Sequence, residues 1–191
     1  MKRVIRKKNI LAIIGSASSN SSNLSLVNRI AELSNDEFNF TIFNRLSELP
    51  HFNPELSIGE TPKPVLAFRQ LVLENDGIII CTPEYIFSIP SGLKNAIEWC
   101  VATTVFSKKP LGIITASASG QKGHEELQLI MSTVEARFTN STTLLIQGIK
   151  GKINSEGNIS DNKTESDLKL FIESFTQLIN AAPEYIEKEN Q

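Results

Sequence analysis

Short apolar runs alternate along this chain with longer stretches in which apolar residues return every three or four positions. The runs Ile10–Gly15, Gly77–Thr82 and Leu111–Ala116 are almost continuously apolar, the pattern of strands covered on both faces. Phe38–Phe43 instead sets Phe38, Phe40 and Ile42 against Asn39 and Thr41, as a strand with one wetter face does. Thr142–Gln147 is the last strand predicted. Helical stripes lie between: Leu24, Val27, Ile30, Ala31 and Leu33, then Val65, Leu66, Phe68, Leu71 and Val72, then Leu127, Ile130, Met131, Val134 and Phe138. The cleanest stripe, Leu168, Phe171, Ile172, Phe175, Ile179 and Ala182, opens with Thr164 and Asp167 in capping-box register. Pro90 suits the first turn of a further helix through Leu93, Ile97 and Trp99.

Strand and helix thus alternate from end to end, which predicts an α/β fold with a parallel sheet between two helical layers. Right-handed crossovers narrow this to a flavodoxin-like three-layer sandwich, with a five-stranded parallel sheet of order 2-1-3-4-5. Leu46–Pro64, with four prolines, reads as an ordered surface loop, and the polar Gly148–Thr164 as a flexible excursion before the last helix. In such sheets a ligand sits outside the carboxyl ends of the strands where the order reverses, here between the first and third. Those strands exit into GSASSNSSN (Gly15–Asn23) and TPEYIFSIPSG (Thr82–Gly92), and the fourth into SASGQKG (Ser117–Gly123).

Composition changes the picture mainly by exclusion. A chain of 191 residues, 40% hydrophobic and 21% charged, predicts one globular domain over 1–191. The formal net charge of −2 gives no electrostatic case for nucleic acid or a membrane surface as partner. The basic start MKRVIRKK is followed by too short an apolar run for a signal peptide, and reads as a solvated lead-in to the first strand. Cys81 and Cys100 lack metal-ligand spacing and point to a reducing, cytoplasmic setting.

The first loop holds five serines and two asparagines in nine residues, and no Lys or Arg occurs from Asn9 to Asn28. Entering a helix, such a loop offers free N–H groups, hydroxyls and the positive end of the helix dipole to an anion. Ser and Asn are also ordinary caps and turn formers, but one cap needs one such residue. Neither a P-loop, nor a dinucleotide fingerprint after the first strand, nor a nucleophile elbow is present. A phosphoacceptor receiver domain would need Asp where the third strand ends in Cys81-Thr82-Pro83.

TPEYIFSIPSGLKNAIEW (Thr82–Trp99) resembles the signature of the NAD(P)H-dependent FMN reductase family, whose usual form is T-P-E-Y-N-G-S-I-P-G-x-L-K-N-A-I-D-W. Gly15, Ser16, Ser21 and Asn23 match the family's G-S-x-R-x-x-S-x-N phosphate loop, and LPHFNP (Leu49–Pro54) and SASGQKG are similar to further family segments. The resemblance runs from about Ile10 to Phe138. It implies an enzyme with FMN as cofactor and NAD(P)H as co-substrate, assembled as a homodimer or homotetramer. Ser16, Ser18, Ser21, Ser22 and Asn23 would hold the phosphate. Pro83, Glu84, Tyr85, Ile86 and Phe87 would follow the isoalloxazine edge, and Ser117, Ala118, Ser119 and Gly120 the ribityl chain and the rest of the ring. Hydride would pass from NAD(P)H to flavin N5 and electrons then to a small acceptor: a quinone, a nitro or azo compound, a metal oxyanion or free flavin. No side-chain acid or base is needed, so no catalytic residue is assigned.

Two positions depart from the family pattern. Ser18 stands where the family often has Arg, which removes a charge-assisted phosphate contact. Ile86-Phe87 replaces Asn-Gly, and these residues resist φ > 0, so either the loop keeps an extended path or the flavin edge is met differently. Glu84 reads as a turn cap or a partner of Lys94 rather than a general base, and Tyr85 as a cover over the site. Trp99 reads as core or dimer interface, and Cys81 as a small buried hydrophobe. His51 and His124 lack ligand-spaced partners, so no metal is expected. Lys108–Lys109 and Lys150–Lys152 read as solvated loop charges, one of them a candidate for a nicotinamide phosphate. The competing reading, a flavodoxin-type electron carrier, is disfavoured by the near-neutral charge; a non-catalytic flavin sensor is weaker still.

Overall fold

The strands are β1 (Lys8–Ile14), β2 (Phe38–Phe43), β3 (Gly77–Thr82), β4 (Leu111–Ser117) and β5 (Thr143–Gln147). The helices are α1 (Ser22–Leu33), α2 (Pro54–Ile58), α3 (Lys63–Glu74), α4 (Ser91–Glu98), α5 (Gln121–Thr133) and α6 (Asn162–Asn180). This computed structural model of the chain describes residues 6–18 and 21–181; most of the basic lead-in, Ser19 and Asn20 of the first loop, and Ala182 of the last stripe lie outside the described residues. The sheet is five-stranded in the order β2-β1-β3-β4-β5, every neighbouring pair parallel, the flavodoxin-like arrangement expected.

The pleat divides the core. Ile10, Ala12 and Ile14 of β1 pack with α1 (Leu26, Val27, Ile30) and α6 (Leu168, Phe171, Phe175). Leu11 and Ile13 pack with α3 (Val65, Phe68), α4 (Leu93, Ala96) and α5 (Leu127, Met131). Both faces being covered, β3 is buried at every position. The edge strand β2 is less covered: Phe38 and Phe43 are buried, but Ile42 is 37% exposed. Because α1 leaves β1 on one face and α4 leaves β3 on the other, the exit loops of these neighbouring strands diverge and open a cleft. Gly15 makes the divergence possible. Its N–H donates to Cys81 O at 2.8 Å, and a Cβ there would lie 2.2 Å from Thr82 Oγ1.

Several local expectations are corrected. Leu46–Pro64 contains a 3₁₀ turn (Leu46–Glu48) and α2, which Asn53 caps by accepting from Glu55 N at 2.9 Å with Pro54 in the first turn. The segment is clamped to α4: Trp99 Nε1 donates to Pro50 O at 2.7 Å, and Phe52 N to Asn95 Oδ1 at 2.7 Å. Pro90 precedes α4 as its N-cap rather than entering the first turn, and Trp99 is its C-cap. Helix α5 ends at Thr133, since Glu135 turns to φ 59°; Val134 and Phe138 pack against the core from beyond it. Helix α6 starts at Asn162, not in the Thr164 register. Asp161 is its cap, accepting from Thr164 N at 2.8 Å and Thr164 Oγ1 at 2.6 Å, which holds the Asp161 carboxyl below its usual pKa. Gly148–Thr164 is an ordered stretch: a 3₁₀ turn (Ile149–Lys152) precedes a narrow hairpin closed by the Ile153–Ile159 bridge.

Candidate functional site

At the divergence of β1 and β3 lies a cleft of about 750 Å³, within the range of small-molecule sites. Four exit loops line it. Ser16, Ser18, Ser21, Ser22 and Asn23 come from the first; Pro83 and Tyr85 from the second; Ala116, Ser117 and Ala118 from the end of β4; and Gly148–Gly151 from beyond β5. Of the residues named from sequence, Glu84, Ile86, Phe87, Ser119 and Gly120 do not line it.

The first loop is a set of donors at a helix start. Ser21 is the N-cap of α1, its Oγ accepting from Leu24 N at 3.2 Å. Ser16 Oγ accepts from Ser18 N at 3.2 Å. Each of these hydroxyls accepts one bond and keeps its proton to donate. Among the described residues the N–H groups of Ser22 and Asn23 have no partner, as first-turn amides do not. The Asn23 side chain faces inward instead. Its Nδ2 donates to Ala116 O at 3.4 Å and its Oδ1 accepts from Cys81 Sγ at 3.3 Å, tying α1 to the ends of β3 and β4. Cys81 is fully buried, which pushes its thiol pKa well up.

The second loop is a two-residue hairpin. Tyr85 N donates to Ser88 O at 2.9 Å and Ser88 N to Tyr85 O at 3.0 Å. Ile86 and Phe87 take φ 51° and 58°, so the extended path is ruled out: the backbone follows the left-handed course that Asn-Gly adopts without strain. Ile86 is 96% exposed and Phe87 75%.

Glu84 anchors this hairpin. Its carboxylate accepts from Gly120 N at 3.2 Å and Gly123 N at 2.8 Å, supplying the start of α5 with the acceptor that its own N-cap, Gly120 at φ 90°, cannot offer. The turn-cap reading of Glu84 therefore extends to a helix cap across loops. Lys94 pairs with Glu98 at 3.1 Å instead. Ser117 Oγ donates to Glu84 O at 3.4 Å and Gly148 N to Ala118 O at 3.1 Å, so the second, third and fourth loops are stitched together.

The sequence reading missed Ala116 and Gly148–Gly151. The order of strands was the available signal, since β5 beside β4 must exit into the same rim. Gly148–Gly151 brings Lys150 to a cleft that the first loop alone leaves chargeless. Lys109, by contrast, is structural, its ammonium donating to Leu73 O at 3.0 Å and Asn75 O at 2.8 Å. Trp99 is core, fully buried. His124 Nδ1 lies 2.9 Å from Thr115 Oγ1 beneath the site, and burial lowers its pKa. Among the described residues no group of His, Cys, Asp and Glu is arranged to hold a metal, and no helix is long and apolar enough to cross a membrane.

Residues 8–150 match the family described as NADPH-dependent FMN reductase. An NADPH:quinone oxidoreductase of Arabidopsis thaliana is 34% identical over 139 residues, 68% of this chain and 71% of that protein. A 2-hydroxy-1,4-benzoquinone reductase of a Burkholderia species is 28% identical over 173 residues, 87% and 93% of the two chains. Among solved structures, the flavoenzyme NAD(P)H:(acceptor) oxidoreductase FerB of Paracoccus denitrificans superposes with a TM-score of 0.79 at 25% identity, covering 90% of this chain and 97% of its own.

Proposed function

The chain belongs to the NADPH-dependent FMN reductase family, and from that premise we propose that its cleft seats FMN in an NAD(P)H-dependent oxidoreductase whose acceptor is a small quinone. The observation that carries the reading is the cleft's lining: the hydroxyls and amides of the first loop, the apolar Pro83, Tyr85, Ala116 and Ala118 from other loops, and no Asp or Glu among the described lining residues. The hydroxyls of Ser16, Ser18, Ser21 and Ser22, with the N–H groups of Ser22 and Asn23, suit a phosphate at the α1 start. Pro83, Tyr85, Ala116 and Ala118 supply surface for a planar ring. Glu84 and Gly120 act from behind the lining, holding the hairpin that carries Tyr85 against the start of α5, while Ile86 and Phe87 form its exposed tip and Ser119 is exposed.

FMN held by these residues would supply the redox chemistry that links NAD(P)H to the acceptor. The protein's own part is to bind and orient. Glu84 is committed to two backbone N–H groups, so it is no free base for the reaction. The quinone assignment rests on the activities for which the Arabidopsis and Burkholderia relatives are named.

We further propose one domain, a homodimer or homotetramer, and a cytoplasmic setting. A single sheet with both faces covered supports the first. The apolar Ile86-Phe87 tip, which a second copy would cover, supports the second, and two free buried cysteines the third.

The test is the visible spectrum of the purified protein, its melting temperature with and without FMN, and NADPH consumption with benzoquinone. A flavin spectrum or an FMN-dependent rise in melting, together with quinone-dependent NADPH oxidation, is expected. Colourless protein whose melting ignores FMN overturns the reading. Bound flavin without NADPH oxidation turns it towards an electron carrier.

A further inference from the structure

Ser18 stands where the family often has an arginine in its phosphate loop, and no basic residue follows in the described part of that loop. A phosphate monoester at the α1 start would meet only dipoles from the first loop. One charged side chain does line the cleft among the described residues, and it comes from the opposite end of the sheet: Lys150. We propose that Lys150 is the phosphate-recognition residue of this chain, taking the place of the missing arginine and selecting FMN over riboflavin. The inference rests on the flavin reading above.

The fold brings Lys150 to the phosphate end rather than the ring end. Helices α1 and α6 cover the same face of the sheet, so the segment joining β5 to α6 must run over the α1 side. It does so closely: a Cβ on Gly157 would lie 3.4 Å from Ser25 Oγ of α1. The hairpin Tyr85–Ser88 belongs to the other side, since Glu84 binds it to α5.

The backbone that presents Lys150 is held on both flanks. Gly148 N donates to Ala118 O at 3.1 Å, Gly151 N to Gly148 O at 3.0 Å, and Ile149 is buried in the α1–α6 core. The side chain itself is uncommitted, its ammonium having no hydrogen bond or ion pair among the described residues. The nearby Lys152 approaches Asp161 at 3.9 Å, and among the described residues no carboxylate lines the cleft to compete for Lys150. A lysine reads a phosphate as a point charge, so it can serve from across the cleft without a fixed bidentate geometry.

The experiment is titration of flavin-free protein with FMN and with riboflavin, at low and at moderate salt, for the wild type, Lys150→Ala and Lys150→Arg. Lys150→Ala is expected to weaken FMN by roughly five- to tenfold at low salt, to leave riboflavin within about twofold, and to flatten the salt dependence of FMN binding. Lys150→Arg is expected to stay near the wild type. An unchanged FMN affinity in Lys150→Ala overturns the proposal, and so does an equal loss for riboflavin, which marks damage to the loop. A rise in KM for NADPH but not NADH, with FMN affinity intact, assigns the charge to the coenzyme's phosphate and overturns it too. A wild type that binds neither flavin removes the functional reading itself; one that binds FMN equally well with and without the lysine ammonium removes only this inference.

Discussion

Ile86 and Phe87 occupy a turn built for other residues. A left-handed backbone costs an L residue about 1–2 kcal/mol, and β-branching makes it worse. Ile86 sits at φ 51° with its side chain 96% exposed, so packing in the monomer returns almost nothing. The conformation persists because its flanks are fixed: Tyr85 and Ser88 exchange two hydrogen bonds, and Ile89 N donates to Glu126 Oε2 at 3.2 Å. Restoring Asn-Gly with Ile86→Asn and Phe87→Gly is therefore expected to stabilise the protein by about 1–3 kcal/mol, read as a higher urea midpoint at low protein concentration. A lower midpoint would mean that the tip is packed against something, and a second copy of the chain is the first candidate.

Helix α5 begins without help from its own cap, because Gly120 has no side chain and its φ of 90° suits only glycine. Glu84 repairs this from another loop, and in doing so sets the spacing between the β3 and β4 exits. Glu84→Ala leaves the N–H groups of Gly120 and Gly123 without their partner, at a cost of about 1–3 kcal/mol. It should also speed amide exchange at those two positions while leaving exchange in β3 unchanged. Equal acceleration throughout would mean general destabilisation rather than loss of this anchor. Lys94→Ala is the control. Its pair with Glu98 is solvent-accessible, so removal should change stability by less than about 1 kcal/mol.

The molecule as a whole carries a pH dependence rooted under the cleft. His124 is 8% exposed, and desolvation lowers its pKa from the ordinary 6.5, against a smaller opposing effect of Glu125. The unfolded chain therefore takes up a proton on this side chain before the folded one does. Stability rises with pH across the window between the lowered value and 6.5, and is lost on acidification through it. Thermal melting at neutral pH and at about pH 5 should show that loss in the wild type and a smaller one in His124→Gln. An identical loss in both would place the acid sensitivity in other groups.

Periodicity is a local property, and what depends on it could be read directly. The runs at Gly77–Thr82 and Leu111–Ala116 became β3 and β4 because buried parallel strands need apolar residues at every position. The serines of the first loop could likewise be placed at the cleft, since a strand-to-helix turn sets its own geometry. Side-chain partnerships across the sheet could not. Glu84 meets backbone groups 36 and 39 residues away. The left-handed turn at Ile86-Phe87 runs against local preference because its flanks outweigh it. Lys150 reads in the sequence as a solvated loop charge or a contact for a nicotinamide phosphate, and it reaches the cleft only because β5 lies beside β4 and α6 returns over the α1 face. Local chemistry set the donors of this site; where the one charge among its described lining residues stands follows from the order of strands and the hand of the crossovers.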